Sequence, residues 1–256
     1  MELLVEALAG TTLTALVLTA FVAGFIDAIA GGGGLITVPA LALAGLDPVA
    51  AIATNKLQAS FGSGTAAFTF WRAGHLRFFD LWPALLLAGL GSALGAALLT
   101  YVPREALRGL LPFVLVAVAL YFAVSPRISE VDSRPRMGRA LFVASIVPLV
   151  GFYDGIFGPG TGSFYMLGFV ALRGYGIVRA TAETKAVNFA SNIIGLLALS
   201  ASGQIFWLAG LAMGLAQVLG ARLGARMAIR DGARLIKPLV VTMCLLLAGK
   251  LARDSF

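Results

Sequence analysis

The stretch GFIDAIAGGGG (residues 24–34) sets an acid and four successive glycines inside an otherwise apolar run, and GFYDGIFGPG (151–160) says nearly the same thing again. Glycine costs a helix about 1 kcal/mol per residue relative to alanine, so each stretch reads as a helix that breaks. Each break is followed by a short apolar segment, at about 34–45 and 161–172, and then by long ones. The order along the chain is long, short, long, long, long, stated twice, with long segments at about 10–30, 48–71, 81–102 and 106–124, then 140–157, 177–202, 205–229 and 234–252. The two short segments fall below the roughly 17 residues that cross a hydrocarbon core upright.

Composition places the whole chain in lipid. Of 256 residues, 59% are hydrophobic and 12% charged, and the mean hydropathy is +0.94. A soluble domain carries roughly 25% charge, and half of that leaves too little polar surface to face water. Apolar runs near 20 residues without period-2 alternation predict helices rather than a barrel. The opening residues MELLVEALAG have Glu2 and Glu6 and no basic run, so the first segment is expected to stay in the mature protein. The expected class is all-α: a polytopic membrane protein of two inverted repeats, with about eight long transmembrane helices and two short re-entrant segments.

The halves match residue by residue. A shift of 127 pairs Gly24, Phe25, Asp27, Ile29, Gly31 and Gly33 with Gly151, Phe152, Asp154, Ile156, Gly158 and Gly160, and a shift of 129 pairs Lys56 with Lys185. This divides the chain into a first repeat (1–124), a polar linker (125–139) and a second repeat (140–256), an organisation shared by many secondary transporters. If each break forms a hairpin, three further crossings per half invert the second repeat. Thirteen Lys and Arg then fall on the linker's side, Arg72, Arg77, Arg139 and Arg179 among them, against four on the other. By the positive-inside rule the linker is cytoplasmic and both termini are outside, in a multi-pass protein of the inner (cytoplasmic) membrane. The same rule and lipid headgroups account for the net charge of +7, so no nucleic-acid partner is expected.

Four ionisable residues sit in or near the spans: Asp27, Lys56, Asp154 and Lys185. Each costs about 2.5–3.5 kcal/mol at a helix centre, and such residues face a bundle interior or an aqueous cavity. Asn55, Gln58, Ser60 and Ser63 accompany Lys56; Asn188 and Asn192 share a helix face with Lys185. A cation among amide and hydroxyl donors suits a small oxyanion. The breaks add backbone donors, because the first amides of a helix are unpaired and its N-terminus is positive. Gly32, Gly33 and Gly34 in one half, and Gly160, Thr161, Gly162 and Ser163 in the other, are therefore candidate ligands. Three roles stand open for Asp27 and Asp154: proton coupling, salt bridges to the lysines, or caps on the broken helices. GSALG (91–95), GLAMG (210–214) and GARLG (220–224) read as packing motifs, and His75 and Glu183 as interfacial residues.

The doubled G-F-x-D-x-I-x-G-x-G, each followed some 20–30 residues later by T-N-K or E-T-K, resembles the sulfite exporter TauE/SafE family of membrane transporters. The resemblance spans nearly the whole chain and implies small sulfur oxyanions or sulfonates moved without nucleotide. The half-sites are unequal, with Gly32, Gly34 and Leu35 where the second half has Pro159, Thr161 and Gly162. The expected function is a secondary transporter or exporter of sulfite or an organosulfonate such as sulfoacetate, working by alternating access. The alternative is an anion channel or a permease for another small oxyanion. An enzyme is not expected, since His75 and Cys244 are the chain's one histidine and one cysteine. Nor is a metal, a cofactor or a nucleotide, as no Walker A sequence is present. The partners are a small anion and membrane lipid, with a homodimer admitted and the oligomeric state left open.

Overall fold

A computed structural model describes residues 11–99 and 130–236, together with 238, 239 and 242. Among the described residues, eight helices lie between Thr11 and Asp231: α1 (Thr11–Ala30), α2 (Gly34–Leu43), α3 (Pro48–Arg72), α4 (Phe78–Leu98), α5 (Arg139–Ile156), α6 (Thr161–Ala171), α7 (Ile177–Ser200) and α8 (Trp207–Asp231). The helical class follows, and both short segments are helices of 10 and 11 residues directly after the breaks. The segment expected at 106–124 lies wholly outside the described residues, and that at 234–252 lies mostly outside them.

Local chemistry sets these boundaries. Asp47 accepts the amides of Val49 and Ala50 and Pro48 occupies the first turn, which together start α3. Gly31 and Gly32 adopt φ of 77° and 94°, and Gly158 and Gly160 adopt 79° and 86°. Such values are strained for side-chain-bearing residues, so these glycines stop α1 and α5 and turn the chain into α2 and α6.

Four of the helices are long and apolar enough to cross a membrane: α1, α4, α5 and α8. Their outward faces are leucine ladders at every fourth position, Leu86, Leu90, Leu94 and Leu98 on α4 and Leu211, Leu215, Leu219 and Leu223 on α8. Their inward faces are small. This inverts the soluble pattern, because lipid is as apolar as leucine and close approach must drive packing. Helices α3 and α7 are less apolar because their buried faces carry the polar residues, Asn55, Lys56 and Gln58 on one and Thr184, Lys185, Asn188 and Asn192 on the other.

Packing crosses between the halves. The last described helix of each half lies along the first helix of the other, α4 on α5 and α8 on α1, while α3 packs on α7 between them. The contacts are backbone to backbone. A Cβ on Gly95 would collide with the Phe152 carbonyl and one on Gly155 with the Ser92 carbonyl; one on Gly220 would strike Phe21 and one on Gly224 Phe25. Gly210 and Gly214 instead receive the side chains of Leu57 and Phe61. All three small-residue motifs are thus packing surfaces.

The linker residues strap one end of the bundle. Asp132 accepts the Gly176 amide at 2.7 Å and pairs with Arg179 at 2.6 Å, while the Met137 carbonyl accepts from Arg173 and the Asp80 carbonyl from Arg139. Arg77, Arg139 and Arg179 line one cavity there of about 410 Å³ with His75, Asp80, Tyr175 and Glu183. Glu183 is 8% exposed and pairs with Arg179 at 3.0 Å, and His75 is exposed on the turn after α3.

Gly95→Val should push α4 from α5 and cost about 1–3 kcal/mol, as overpacking does. Gly138→Ala, where a Cβ meets nothing within 4 Å, should be neutral. Thermal unfolding in detergent checks both; equal unfolding temperatures for the two variants would refute the backbone contact.

Candidate functional site

The two breaks touch. A Cβ on Gly31 would stand 2.6 Å from the backbone of Gly162 and Ser163, and one on Gly34 would stand 3.2 Å from Pro159. Ser163 Oγ reaches across to donate to the Ala30 carbonyl at 3.3 Å. Two interrupted helices, far apart in sequence, therefore meet end to end inside the bundle. Irregular backbone is tolerated at such a place when buried in protein or lining a cavity.

Around this junction the four intramembrane charges pair across the halves. Lys56 Nζ on α3 lies 2.5 Å from Asp154 Oδ2 on α5, and Lys185 Nζ on α7 lies 3.0 Å from Asp27 Oδ2 on α1. The Lys56 contact is an ion pair without hydrogen-bond alignment, whereas Lys185 donates to its partner. Both lysines are fully buried, and removing either partner would leave a charge uncompensated in low dielectric.

Each aspartate also ties down its own break. Asp27 Oδ1 accepts the Gly33 amide at 2.9 Å, and Asp154 Oδ1 accepts the Thr161 hydroxyl at 2.8 Å. Of the roles left open for the acids, geometry gives both of them a salt bridge and a grip on the broken helix. They differ in access: the Asp27 side chain is 16% exposed and that of Asp154 2%.

A cavity of about 20 Å³ lies at the junction, room for about one water. It is lined by Asp27, Gly32, Gly33 and Gly34, by Asn55 and Asp154, by Gly160, Thr161 and Gly162, and by Asn188 and Asn192. The structure so brings together most of the residues singled out by sequence. It leaves four just behind the wall. Lys56 and Lys185 face their carboxylates, although a methyl on Gly162 would stand 3.6 Å from Lys185 Nζ. Gln58 donates to Asn55 Oδ1 at 2.7 Å, and Ser163 is spent on Ala30. Ser60 and Ser63, on the same helix as Lys56, donate back to the Lys56 and Ala59 carbonyls.

Hydrogen bonding orients the donors. Asn55 Oδ1 accepts from both Thr37 Oγ1 and Gln58 Nε2, each at 2.7 Å. With its acceptor occupied twice, Asn55 presents its Nδ2 to the cavity glycines, 3.4 Å from a Cβ on Gly34 and 3.7 Å from one on Gly158. Asn192 Nδ2 donates to the Asn188 backbone and side-chain oxygens at 2.9 and 3.2 Å, which leaves Asn188 Nδ2 as a spare donor. The amides of Gly34 and Gly162 have no partner among the described residues. Four spare donors thus gather at this wall: Asn55 Nδ2, Asn188 Nδ2 and the amides of Gly34 and Gly162.

Sequence reasoning missed Thr37 and three lining residues, Ala59, Gly158 and Gln217. Thr37 fixes Asn55 from α2, and its signal is weak, one hydroxyl in an apolar helix. Ala59, Gly158 and Gln217 line the cavity itself. Gln217 had a usable signal: it is an uncharged but strongly polar residue in WLAGLAMGLAQVLG (207–220). Among the described residues no group of His, Cys, Asp and Glu could hold a metal ion.

The profile of the sulfite exporter TauE/SafE family matches residues 16–251. A probable membrane transporter protein, ORF9, of Sinorhizobium sp. is 48% identical over 239 residues, 93% of this chain and 92% of its own length. A probable membrane transporter protein of Haemophilus influenzae is 42% identical over 92% of both chains. The probable membrane transporter protein YfcA of Escherichia coli K12 is 43% identical over 92% of this chain and 88% of its own. No solved structure matches significantly. With its apolar helices and a family match over nearly its full length, this multi-pass membrane protein belongs to the sulfite exporter TauE/SafE family.

Proposed function

We propose that this membrane transporter is a secondary carrier of small sulfur-containing anions, sulfite or an organosulfonate such as sulfoacetate, across the cytoplasmic membrane. The observation that carries the reading is the meeting of two glycine breaks at a wall of oriented amide donors, framed by two buried lysines. Unpaired amides at a helix start, with the positive end of its dipole, stabilise an anion without a full charge in the wall. The family match supports the substrate class.

The mechanism follows from the charge balance. Two lysines and two aspartates sum to zero, so the occluded site holds no net charge while it is empty of anion. An oxyanion entering beside Asn55 and Asn188 adds negative charge and competes with the carboxylates for the ammonium groups. The Lys–Asp pairs run between halves, so weakening them loosens one half from the other. That is the coupling alternating access requires in an inverted-repeat protein with the linker in the cytoplasm. A cavity of one water's size corresponds to a closed state between the two open ones. The arginine-lined cavity beside the linker would concentrate anions at the cytoplasmic entrance.

Liposomes containing purified protein should take up sulfite and sulfoacetate with saturation and counterflow. Conductance without either would turn the reading to the channel alternative, and wild-type rates in Lys56→Ala and Lys185→Ala would place the site elsewhere.

Removing Lys56 alone should strand Asp154 and cost about 3–5 kcal/mol of stability. Lys56→Met with Asp154→Asn removes both charges and keeps an acceptor for Thr161. That double variant should recover the unfolding temperature of wild type while remaining inactive. Wild-type transport by it would show the pair to be scaffolding only.

A displaced carboxylate can take a proton only where water reaches it, which favours Asp27. Asp27→Asn should therefore abolish the response of uptake to an imposed pH gradient, with Asp154→Asn leaving more of it. An unchanged response in Asp27→Asn would exclude proton coupling through that carboxylate.

A further inference from the structure

Gln217 is the one cavity residue contributed by α8, and it sits at the meeting of three helices. The residue is 3% exposed and lines the cavity, and its side-chain amide makes no hydrogen bond among the described residues. Its place is carved by glycine. A Cβ on Gly24 of α1 would stand 2.9 Å from the Gln217 carbonyl, and one on Gly62 of α3 would stand 2.5 Å from Gln217 Oε1. The matched crossing in the other half puts Ala88 against Gly151, so this amide has no symmetry mate. The amide lines the cavity and pairs with no protein group, so it is satisfied only by what enters there. A membrane helix that needed only to pack would hold a methionine or leucine at this place. An unpartnered amide on the cavity wall points to a ligand that pairs with it when bound.

We infer that Gln217 is a substrate-contacting residue that reads the oxyanion head group, resting on the assignment of this cavity as the anion site. Asn55, Asn188 and the break amides supply donors from α2, α3, α6 and α7, and Gln217 closes the remaining side from α8. Its amide offers a donor to an anionic oxygen and an acceptor to a protonated one, so it serves either form of the head group. In this closed state the cavity holds about one water, so a head group enters only as it widens, and the contact is then common to sulfite and sulfoacetate. A substrate's tail lies outside it.

The test measures affinity and ligand-free stability together. Gln217→Met keeps the length of the side chain and removes the amide; Gln217→Glu keeps shape and replaces the amide with a carboxyl. The expected result for Gln217→Met is a loss of about tenfold in affinity for sulfite and sulfoacetate alike, the size of one hydrogen bond to a charged group. Its ligand-free unfolding temperature should equal or exceed that of wild type, because the substitution removes no hydrogen bond within the protein. Gln217→Glu should bind more weakly still at neutral pH and regain affinity as pH falls. Wild-type affinity in both variants overturns the inference while leaving the anion site standing. So does a lowered unfolding temperature in Gln217→Met with wild-type affinity, the behaviour of a residue that only holds helices together. A Gln217→Met protein that does not fold leaves the decision to Gln217→Glu, whose affinity must fall for the inference to survive. Absence of anion binding in the wild type removes the site assignment, and this inference with it.

Discussion

Two buried ion pairs that cross between the halves govern this structure. Lys56 with Asp154 and Lys185 with Asp27 put four charges where lipid-facing proteins avoid any. Separating their elements would leave all four charges uncompensated. The same aspartates hold the first residues of the broken helices. The pairs consequently connect three things: the contact of the halves, the shape of the breaks and the charge at the cavity.

Glycine makes that arrangement reachable. Positive φ at Gly31, Gly32, Gly158 and Gly160 turns each chain sharply enough for its break to meet the other. Gly91, Gly95, Gly151 and Gly155 let α4 and α5 approach on their backbones, as Gly220 and Gly224 do for α8 on α1. With leucines turned to lipid, the interior is left to small residues and to the polar faces of α3 and α7. Lipid supplies no hydrophobic drive between helices, so the polar centre is sustained by close packing around it.

Much of this was legible in the sequence. The repeated Asp-then-glycine signal located both breaks, and the short helices followed because twelve apolar residues cannot span a bilayer. Lys56 and Lys185 stood out because charge in such a chain is expensive. Which carboxylate met which lysine was not legible. Pairing across the halves depends on α4 and α8 exchanging partners, and no local pattern encodes that. The direction in which Asn55 points was equally hidden, since Thr37 and Gln58 set it through contacts made only in the fold. Gln217 escaped because attention to charge passes over an amide.

The central claim is that an oxyanion binds between the two breaks, against Asn55, Asn188 and Gln217. Selenite is a heavy analogue of sulfite whose selenium scatters anomalously, so a crystal of the protein grown with it reports the anion's position directly. The account predicts an anomalous peak at the junction of Gly34 and Gly162, with the nearer Lys–Asp pair lengthened. A peak confined to the arginine-lined cavity at Arg77, Arg139 and Arg179, with the junction unoccupied, would contradict it.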